Sequence, residues 1–144
     1  MTPPSLSERN LPKWIQEHIS LYQVTNGAEG HMYNGAPALL LTTKGKKSGE
    51  PFVLPLYYGF DGTNPVVVAS RGGAPNHPYW YTNLLAEPEV QVQVGPEKFN
   101  ARARTATAAE KPKLWEMMAK IWPAYNEYQS RTDREIPVVI LERK

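Results

Sequence analysis

The 144-residue chain contains no cysteine, and this absence excludes several classes of site together. Without thiols there is no disulfide, no thiol nucleophile and no iron–sulfur cluster, and the usual structural zinc sites lose their ligands. The three histidines, His18, His31 and His77, do not have the spacing of metal ligands. The sequence therefore predicts a protein without a metal centre.

Long apolar runs are also missing. No stretch approaches the roughly 20 apolar residues that a membrane-spanning helix needs, and residues 1–10 lack the apolar core of a secretory signal. Charge is nearly balanced, with 16 Lys and Arg against 14 Asp and Glu, which disfavours nucleic-acid binding. We expect one cytoplasmic, soluble domain, with peripheral contact between its first helix and the cell membrane left open.

An amphipathic helix is predicted near the start of the chain. Asn10 is a candidate N-cap with Pro12 in the first turn. The residues that share one helical face are Leu11, Trp14, Ile15, His18, Ile19 and Tyr22. This stripe indicates docking on the core, with His18 as a packed residue, and a membrane surface or a substrate mouth as alternatives. We expect helix and linker at 1–37 and a barrel domain at 38–144.

A lysine-rich turn lies between two apolar segments of strand character, at 39–43 and 52–58. Its residues, here called the lysine turn, are Lys44, Gly45, Lys46, Lys47, Ser48 and Gly49. Two glycines permit positive φ, so backbone N–H groups can converge on an anion beside three ammonium groups. The turn lacks the glycine and Ser/Thr positions of a Walker loop. The alternative is a solvated hairpin loop.

A second candidate anion site precedes the next helix. Ser70, Arg71, Gly72 and Gly73 follow an apolar strand at 66–69, and Asn76 is a candidate N-cap for a helix with Pro78 in its first turn. Free N–H groups at a helix N-terminus and a nearby guanidinium favour an anion. A plain strand-to-helix connection with Arg71 in solvent is the alternative.

The remaining pattern is that of an antiparallel barrel. A turn at 61–65 precedes the strand at 66–69, and alternating residues at 89–94 and 99–104 predict a hairpin. The segment at 137–141 supplies a closing strand. Thr107 and Glu110 have capping-box spacing before a helix, and Pro123 separates it from a shorter one. About six strands joined mostly by short turns predict a mainly β, α+β fold with flanking helices.

Tyrosines gather close to both candidate anion sites and in the last helical segment. They are Tyr57, Tyr58, Tyr79, Tyr81, Tyr125 and Tyr128. Aromatic walls with basic ends suit a flat anionic cofactor. Ordinary packing in the core or at its rim is the alternative.

Several blocks in this order resemble one known family. The blocks are TTKGKKSG at 42–49, PLYY at 55–58, ASRGG at 69–73, HPYWYTN at 77–83 and YNEYQSRTD at 125–133. Together they resemble the actinobacterial deazaflavin-dependent nitroreductases, which include F420H2-dependent quinone reductases. The resemblance implies a split β-barrel related to the flavin mononucleotide-binding barrels, with reduced coenzyme F420 as hydride donor.

The resemblance also implies which residues bind the coenzyme. The lysine turn would hold its phosphate and acidic tail, and two further segments would hold its ring, pyrimidine edge and ribityl chain. The implied cofactor-binding residues are Lys44, Lys46, Lys47, Ser48, Gly49, Pro55, Leu56, Tyr57, Ser70, Arg71, Gly72, Gly73 and Trp80. Arg71 departs from the lysine of many relatives, which keeps the charge but changes the donor geometry.

Catalytic roles follow from the same resemblance. Tyr125 and Tyr128 would cover the substrate beside the ring, and Ser70 and Tyr57 would position or protonate it. The expected reaction is hydride transfer to a menaquinone-like quinone, with nitroaromatic reduction as a promiscuous side activity. Two alternatives stay open at this point: a coenzyme carrier without chemistry, and a barrel that binds flavin mononucleotide or haem.

Overall fold

The computed structural model describes residues 11–144, and one curled antiparallel sheet forms its centre. Its strands are β1 (Met32–Tyr33), β2 (Ala36–Lys44), β3 (Pro51–Tyr57), β4 (Gly59–Asp61), β5 (Asn64–Val68), β6 (Glu89–Val94), β7 (Glu97–Thr105) and β8 (Val138–Arg143). The order is β1-β2-β6-β7-β8-β5-β4, and β3 pairs with β2. The predicted split barrel is confirmed, with the short strands β1 and β4 added to the six predicted ones.

Four α-helices flank this half-barrel within the described residues. They are α1 (Lys13–Val24), α2 (Tyr79–Ala86), α3 (Lys111–Ile121) and α4 (Ala124–Ser130). The candidate cap Asn10 lies outside the described residues, and α1 starts directly after Pro12. The predicted cap Asn76 is wrong, because α2 begins after Pro78. A residue that precedes proline avoids helical φ and ψ, so His77 does not extend the helix backwards.

The predicted pairing of Thr107 with Glu110 is confirmed before α3. The Thr107 N–H donates to Glu110 Oε1 at 2.9 Å, and the Glu110 N–H donates to Thr107 Oγ1 at 3.3 Å. The Arg104 guanidinium donates two hydrogen bonds to the same carboxylate, at 2.7 and 2.8 Å. These donors hold the pKa of Glu110 down at about 2, chiefly through Arg104. The start of α3 is thereby tied to β7.

Alternating residues of β5 and β8 face two different apolar layers. Val67 and Val139 pack into the interior of the curled sheet, whereas Val66 and Val138 pack against α3. Burial on both faces explains the continuous apolar runs of these two strands. The turn predicted at 61–65 is shorter in the structure, because β5 already begins at Asn64. The side-chain oxygen of Asn64 accepts a hydrogen bond from the Arg143 N–H at 3.0 Å.

The curled sheet is open along one side of β3. Within residues 11–144, β3 pairs only with β2, and β5 pairs with β4 and β8. The Tyr58 N–H donates to the Pro37 carbonyl at 3.2 Å, so the even-numbered residues of β3 direct their backbone groups toward β2. Pro51 and Pro55 belong to the odd-numbered set, which faces the open side. This split between β3 and β5 is where a ligand can enter.

One buried hydroxyl fixes α1 over the sheet. Tyr22 Oη donates to the Ala38 carbonyl at 3.0 Å and accepts the Gly95 N–H at 2.7 Å. The docked helix therefore directs Trp14 and His18 toward the split. No helix among the described residues is both long enough and apolar enough to cross a membrane.

Candidate functional site

A cavity of about 670 Å³ occupies the split in the barrel. Its walls come from β3, the end of β5, the loop before α2, and the helices α1 and α4. Aromatic side chains dominate these walls: Trp14, His18, Tyr33, Phe52, Tyr57, Tyr79, Trp80, Trp122, Tyr125 and Tyr128. Among the described residues that line the cavity, Arg71 carries the positive charge and none carries a carboxylate. Such a site suits a flat ligand that is neutral or anionic.

Most of the predicted site residues meet in this cavity, although they come from distant parts of the chain. Those that line it are Pro55, Leu56, Tyr57, Ser70, Arg71, Gly72, Trp80, Tyr125 and Tyr128. Gly73 and the lysine turn do not line it. Gly73 lies behind the wall, against α4.

The lysine turn lies at one end of the cavity. A methyl group on Gly45 would stand 2.7 Å from Phe52 Cε2, and the Phe52 ring lines the cavity. Lys44, Lys46 and Lys47 are exposed, and none of them forms an ion pair within residues 11–144. Three ammonium groups that have no ion-pair partner in the described part of the chain therefore lie beyond the Phe52 end of the cavity.

The backbone of the lysine turn differs from the expected ring of free donors. Gly49 has φ +73°, but Gly45 does not adopt positive φ. Gly45 is needed for space, because a methyl group there would also lie 2.5 Å from Ser48 Oγ. The Gly45 N–H donates to the Glu50 carbonyl at 2.6 Å, and the Lys46 N–H donates to Asn83 Oδ1 at 2.9 Å. The attraction for anions therefore comes mainly from the lysine side chains.

The loop at 70–73 follows an unusual backbone path. Arg71, Gly72 and Gly73 all have positive φ, at +47°, +63° and +80°. Two glycines accept this conformation at little cost, whereas Arg71 is strained by it. Ser70 is only 9% exposed, and its hydroxyl makes no hydrogen bond to another described residue although it lines the cavity. The Arg71 side chain is solvent-exposed, as the plain-connection alternative expected, yet it also borders the cavity.

Tyr57 and Trp122 form one aromatic corner of the cavity, with ring centroids 4.5 Å apart. The Asn34 side-chain amide donates to Tyr57 Oη at 3.5 Å, a long contact. Desolvation raises the pKa of Tyr57 above its ordinary value, with neighbouring tyrosines contributing less. Tyr57 therefore stays protonated at neutral pH and can donate a hydrogen bond.

Tyr125 and Tyr128 line the cavity from α4. Their ring centroids lie 6.1 Å apart at an interplanar angle of 73°. Burial is the main reason that the pKa of Tyr125 lies well above its usual range. Trp122 Nε1 donates to Tyr128 Oη at 3.4 Å, and the Arg131 guanidinium lies 5.6 Å from the Tyr128 ring centroid. These contacts hold both rings beside the cavity.

The sequence placed Trp14 and His18 on one helical face, but it gave no sign that Tyr33 stacks with both beside the cavity. The Tyr33 ring lies 4.4 Å from His18 and 6.0 Å from Trp14, nearly parallel to both. His18, expected to be a packed residue, also hydrogen-bonds through Nε2 to the Gly30 carbonyl at 2.7 Å. The spacing of four between Trp14 and His18 was the available signal for a shared face. Nothing in the linker sequence marked Tyr33.

Comparison with known proteins gives a consistent result. A sequence model of the family described as F420H(2)-dependent quinone reductase matches residues 14–143. An F420H(2)-dependent quinone reductase of Mycobacterium tuberculosis is 38% identical, over 94% of this chain and 99% of its own length. A solved structure described as an F420-H2 dependent reductase is 41% identical with a TM-score of 0.69, covering 74% of this chain and 94% of the other.

A further solved structure, described as a domain-swapped dimer, is 37% identical with a TM-score of 0.73, covering 90% of this chain and 98% of the other. The family match spans every element that lines the cavity. On this sequence match, and with the split barrel in place, the chain belongs to the F420H2-dependent quinone reductase family.

Proposed function

We propose that this protein transfers a hydride from reduced coenzyme F420 to a quinone. Membership of the family supports this proposal, and the single structural observation that carries it is the aromatic cavity in the split of the barrel. It is lined by β3, by the loop at 70–73 and by Tyr125 and Tyr128 on α4. In this proposal the flat coenzyme ring and a flat acceptor lie face to face within it.

The residues on the β3 side fit the coenzyme. Lys44, Lys46 and Lys47 supply positive charge for its phosphate and acidic tail. The open edge at Pro55 and Tyr57 offers backbone groups to a polar ring edge, because odd-numbered residues of β3 face away from β2. When bound, the coenzyme supplies the hydride. The protein's own task is to orient both molecules and to exclude water.

The α4 side fits the acceptor. Tyr57 and Tyr125 stay protonated at neutral pH, because an unperturbed tyrosine has a pKa of about 10 and burial raises the pKa of both. A phenol hydroxyl can donate a hydrogen bond to a quinone oxygen as negative charge develops there. We propose that Tyr57 or a water delivers the proton and that Ser70 helps to position the acceptor.

The acceptor's identity is part of the proposal. We propose a menaquinone-like quinone as the substrate and nitroaromatic reduction as a side activity. A cytoplasmic protein would meet a lipid-soluble quinone at the inner face of the cell membrane. In support, three apolar residues of α1 are exposed, Trp14 by 54%, Leu21 by 45% and Val24 by 82%. These side chains would contact the membrane surface near the cavity mouth.

The proposal is tested by binding and turnover in sequence. The purified protein is titrated with F420 and with flavin mononucleotide while fluorescence is followed, and menadione is then added to the complex with reduced F420. We expect selective F420 binding and a return of the F420 absorbance that is much faster than in the absence of protein. Binding without reoxidation by any quinone would indicate a carrier, and a preference for flavin mononucleotide would overturn the cofactor assignment.

A further inference from the structure

The guanidinium of Arg134 binds the backbone of the loop that lines the cavity. Nη2 donates to the Ser70 carbonyl at 2.7 Å, Nε donates to the Ala74 carbonyl at 2.8 Å, and Nη1 donates to the Ala69 carbonyl at 3.3 Å. Nη1 also lies 3.2 Å from His77 Nδ1. One half-buried side chain thus holds both ends of the loop at 70–73.

This loop needs such a restraint. Arg71 has φ +47°. Arg134 binds the carbonyl of Ser70, which precedes Arg71, but it does not bind the carbonyl of Gly72, which follows Arg71. A left-handed non-glycine residue costs about 1–2 kcal/mol and persists only where its surroundings fix it. By bonding carbonyls before and after Arg71, Arg134 supplies that fixation.

Among residues 11–144, Arg134 has no carboxylate partner. Desolvation and, to a lesser degree, the nearby Arg71 lower its pKa. A half-buried cation beside another cation is an unfavourable choice for stability alone. Its planar fork, however, can reach three carbonyls at fixed angles, which no other side chain does. The three carbonyl contacts and the missing ion pair together indicate that Arg134 serves to fix the shape of the loop rather than to add stability alone.

The same residue is tied to the helix that carries the tyrosine pair. Gln129 lies on α4 between Tyr128 and the segment that carries Arg134. Its Nε2 donates to the Arg134 carbonyl at 2.8 Å, and its Oε1 accepts the Ile136 N–H at 3.0 Å. The contacts therefore run from α4 through Gln129 to Arg134, and from Arg134 to the loop. They connect two elements that line the cavity.

We propose that Arg134 is a positioning residue that sets the distance between the coenzyme-binding loop and the tyrosine wall on α4. This inference rests on the proposed function, because it assigns the two walls to coenzyme and acceptor. Arg134 does not line the cavity itself, and it acts through the Ser70 and Ala74 carbonyls. Hydride transfer depends steeply on the separation of donor and acceptor, so a loosened loop slows the reaction without removing any catalytic group.

The test compares Arg134→Gln and Arg134→Lys with Arg102→Gln, which removes an exposed arginine on β7. For Arg134→Gln we expect the KM for reduced F420 to rise about tenfold and kcat to fall about tenfold, with the KM for menadione changing less than about twofold. Arg134→Lys keeps the positive charge but lacks the planar guanidinium with its several donors. We therefore expect its KM for reduced F420 and its kcat to lie between those of Arg134→Gln and the wild type. Arg102→Gln should match the wild type.

A second measurement separates this inference from the proposed function. Hydrogen exchange of the unliganded protein should show faster exchange of the Gly73 and Ala74 amides in both Arg134 variants, because these amides bond within the loop. If the wild type oxidises no reduced F420, the proposed function fails while exchange still reports on the loop. Unchanged exchange and an unchanged KM for reduced F420 in Arg134→Lys would overturn the inference, even if Arg134→Gln fails to fold.

Discussion

Gly73 and Tyr128 are in backbone contact, and a methyl group on Gly73 would stand only 2.5 Å from the Tyr128 carbonyl oxygen. The loop at 70–73 and α4 therefore approach more closely than a side chain at position 73 would allow. Arg131, one turn beyond Glu127, lies over the Tyr128 ring and pairs with that glutamate at 2.7 Å. The two walls of the cavity are packed against each other at their outer ends.

Substituting Gly73 should destabilise the protein more than substituting its neighbour. Gly72→Ala places alanine at φ +63° with nothing within 4 Å, so we expect a loss of about 1–2 kcal/mol from backbone strain. Gly73→Ala adds a clash with the Tyr128 backbone to similar strain at φ +80°, and we expect a loss of at least about 3 kcal/mol. Urea unfolding of both variants measures the difference. Equal losses would show that α4 moves aside freely.

Lys47→Ala should weaken F420 binding without affecting the fold. The ammonium is exposed and has no ion-pair partner within the described residues, so its loss removes attraction for the acidic tail alone. We expect the Kd for F420 to rise about three- to tenfold at low salt and its salt dependence to become shallower. Lys98→Ala, an exposed change near the β6–β7 turn, is the matched control. Equal effects of the two variants would mean that the lysine turn has no special role.

Tyr128→Ala should alter the choice of acceptor more than the affinity for coenzyme. Its ring lines the cavity from the α4 side and contacts Tyr125. We expect the ratio of kcat/KM for menadione to that for a nitroaromatic compound to change about tenfold, with the Kd for F420 within about twofold of wild type. Tyr128→Phe keeps the ring and tests the hydroxyl alone. A parallel loss of coenzyme affinity in Tyr128→Ala would place the ring in the coenzyme site.

Stability should fall in acid through Glu110. Its pKa is about 2 in the folded protein against an ordinary value of 4.5, so between these values the unfolded chain binds more protons. The contribution of Glu110 is complete above pH 4.5 and disappears as the pH falls through about 2. Glu110→Gln should therefore show a smaller drop in the urea midpoint than wild type between pH about 6 and about 3. The control is Glu116→Gln, which removes an exposed carboxylate that pairs with Lys120. An identical drop in the wild type and in both variants would contradict the role assigned to Glu110.

The sequence specified the long elements well for physical reasons. Alternating apolar and polar residues predicted β6 and β7, because one face of each strand is buried. Continuous apolar runs predicted β5 and β8, because both faces of these strands are buried. The strands β1 and β4 contain two and three residues, too few to show any period. Asn76 has a strong capping preference and predicts an earlier start for α2 than the structure shows. The helix begins later because Pro78 keeps His77 out of the helical conformation.

The site was predictable where a short motif carries its own chemistry. The lysine turn and the glycine pair at 72–73 were singled out this way as candidate anion sites. Tyr125 and Tyr128 were grouped with the other tyrosines as candidate cofactor walls, and the resemblance added their predicted place over the substrate. Residues whose roles depend on tertiary packing were missed. They are Trp122 and Tyr33, which line the cavity, and Arg134, which binds the loop at 70–73 without lining the cavity. Their positions depend on where α1 docks and on how the chain returns after α4. No local pattern encodes either of these.

Pro51 and Pro55 have one more consequence, which concerns self-association. An open sheet edge normally invites a strand from another molecule, since its unpaired N–H and C=O groups form a ready template. On β3 two of the outward positions are proline and carry no N–H, so an incoming strand cannot complete a regular ladder. A small ligand needs only one or two of the remaining groups. The barrel can thus stay open to its ligands along β3 while discouraging edge-to-edge aggregation.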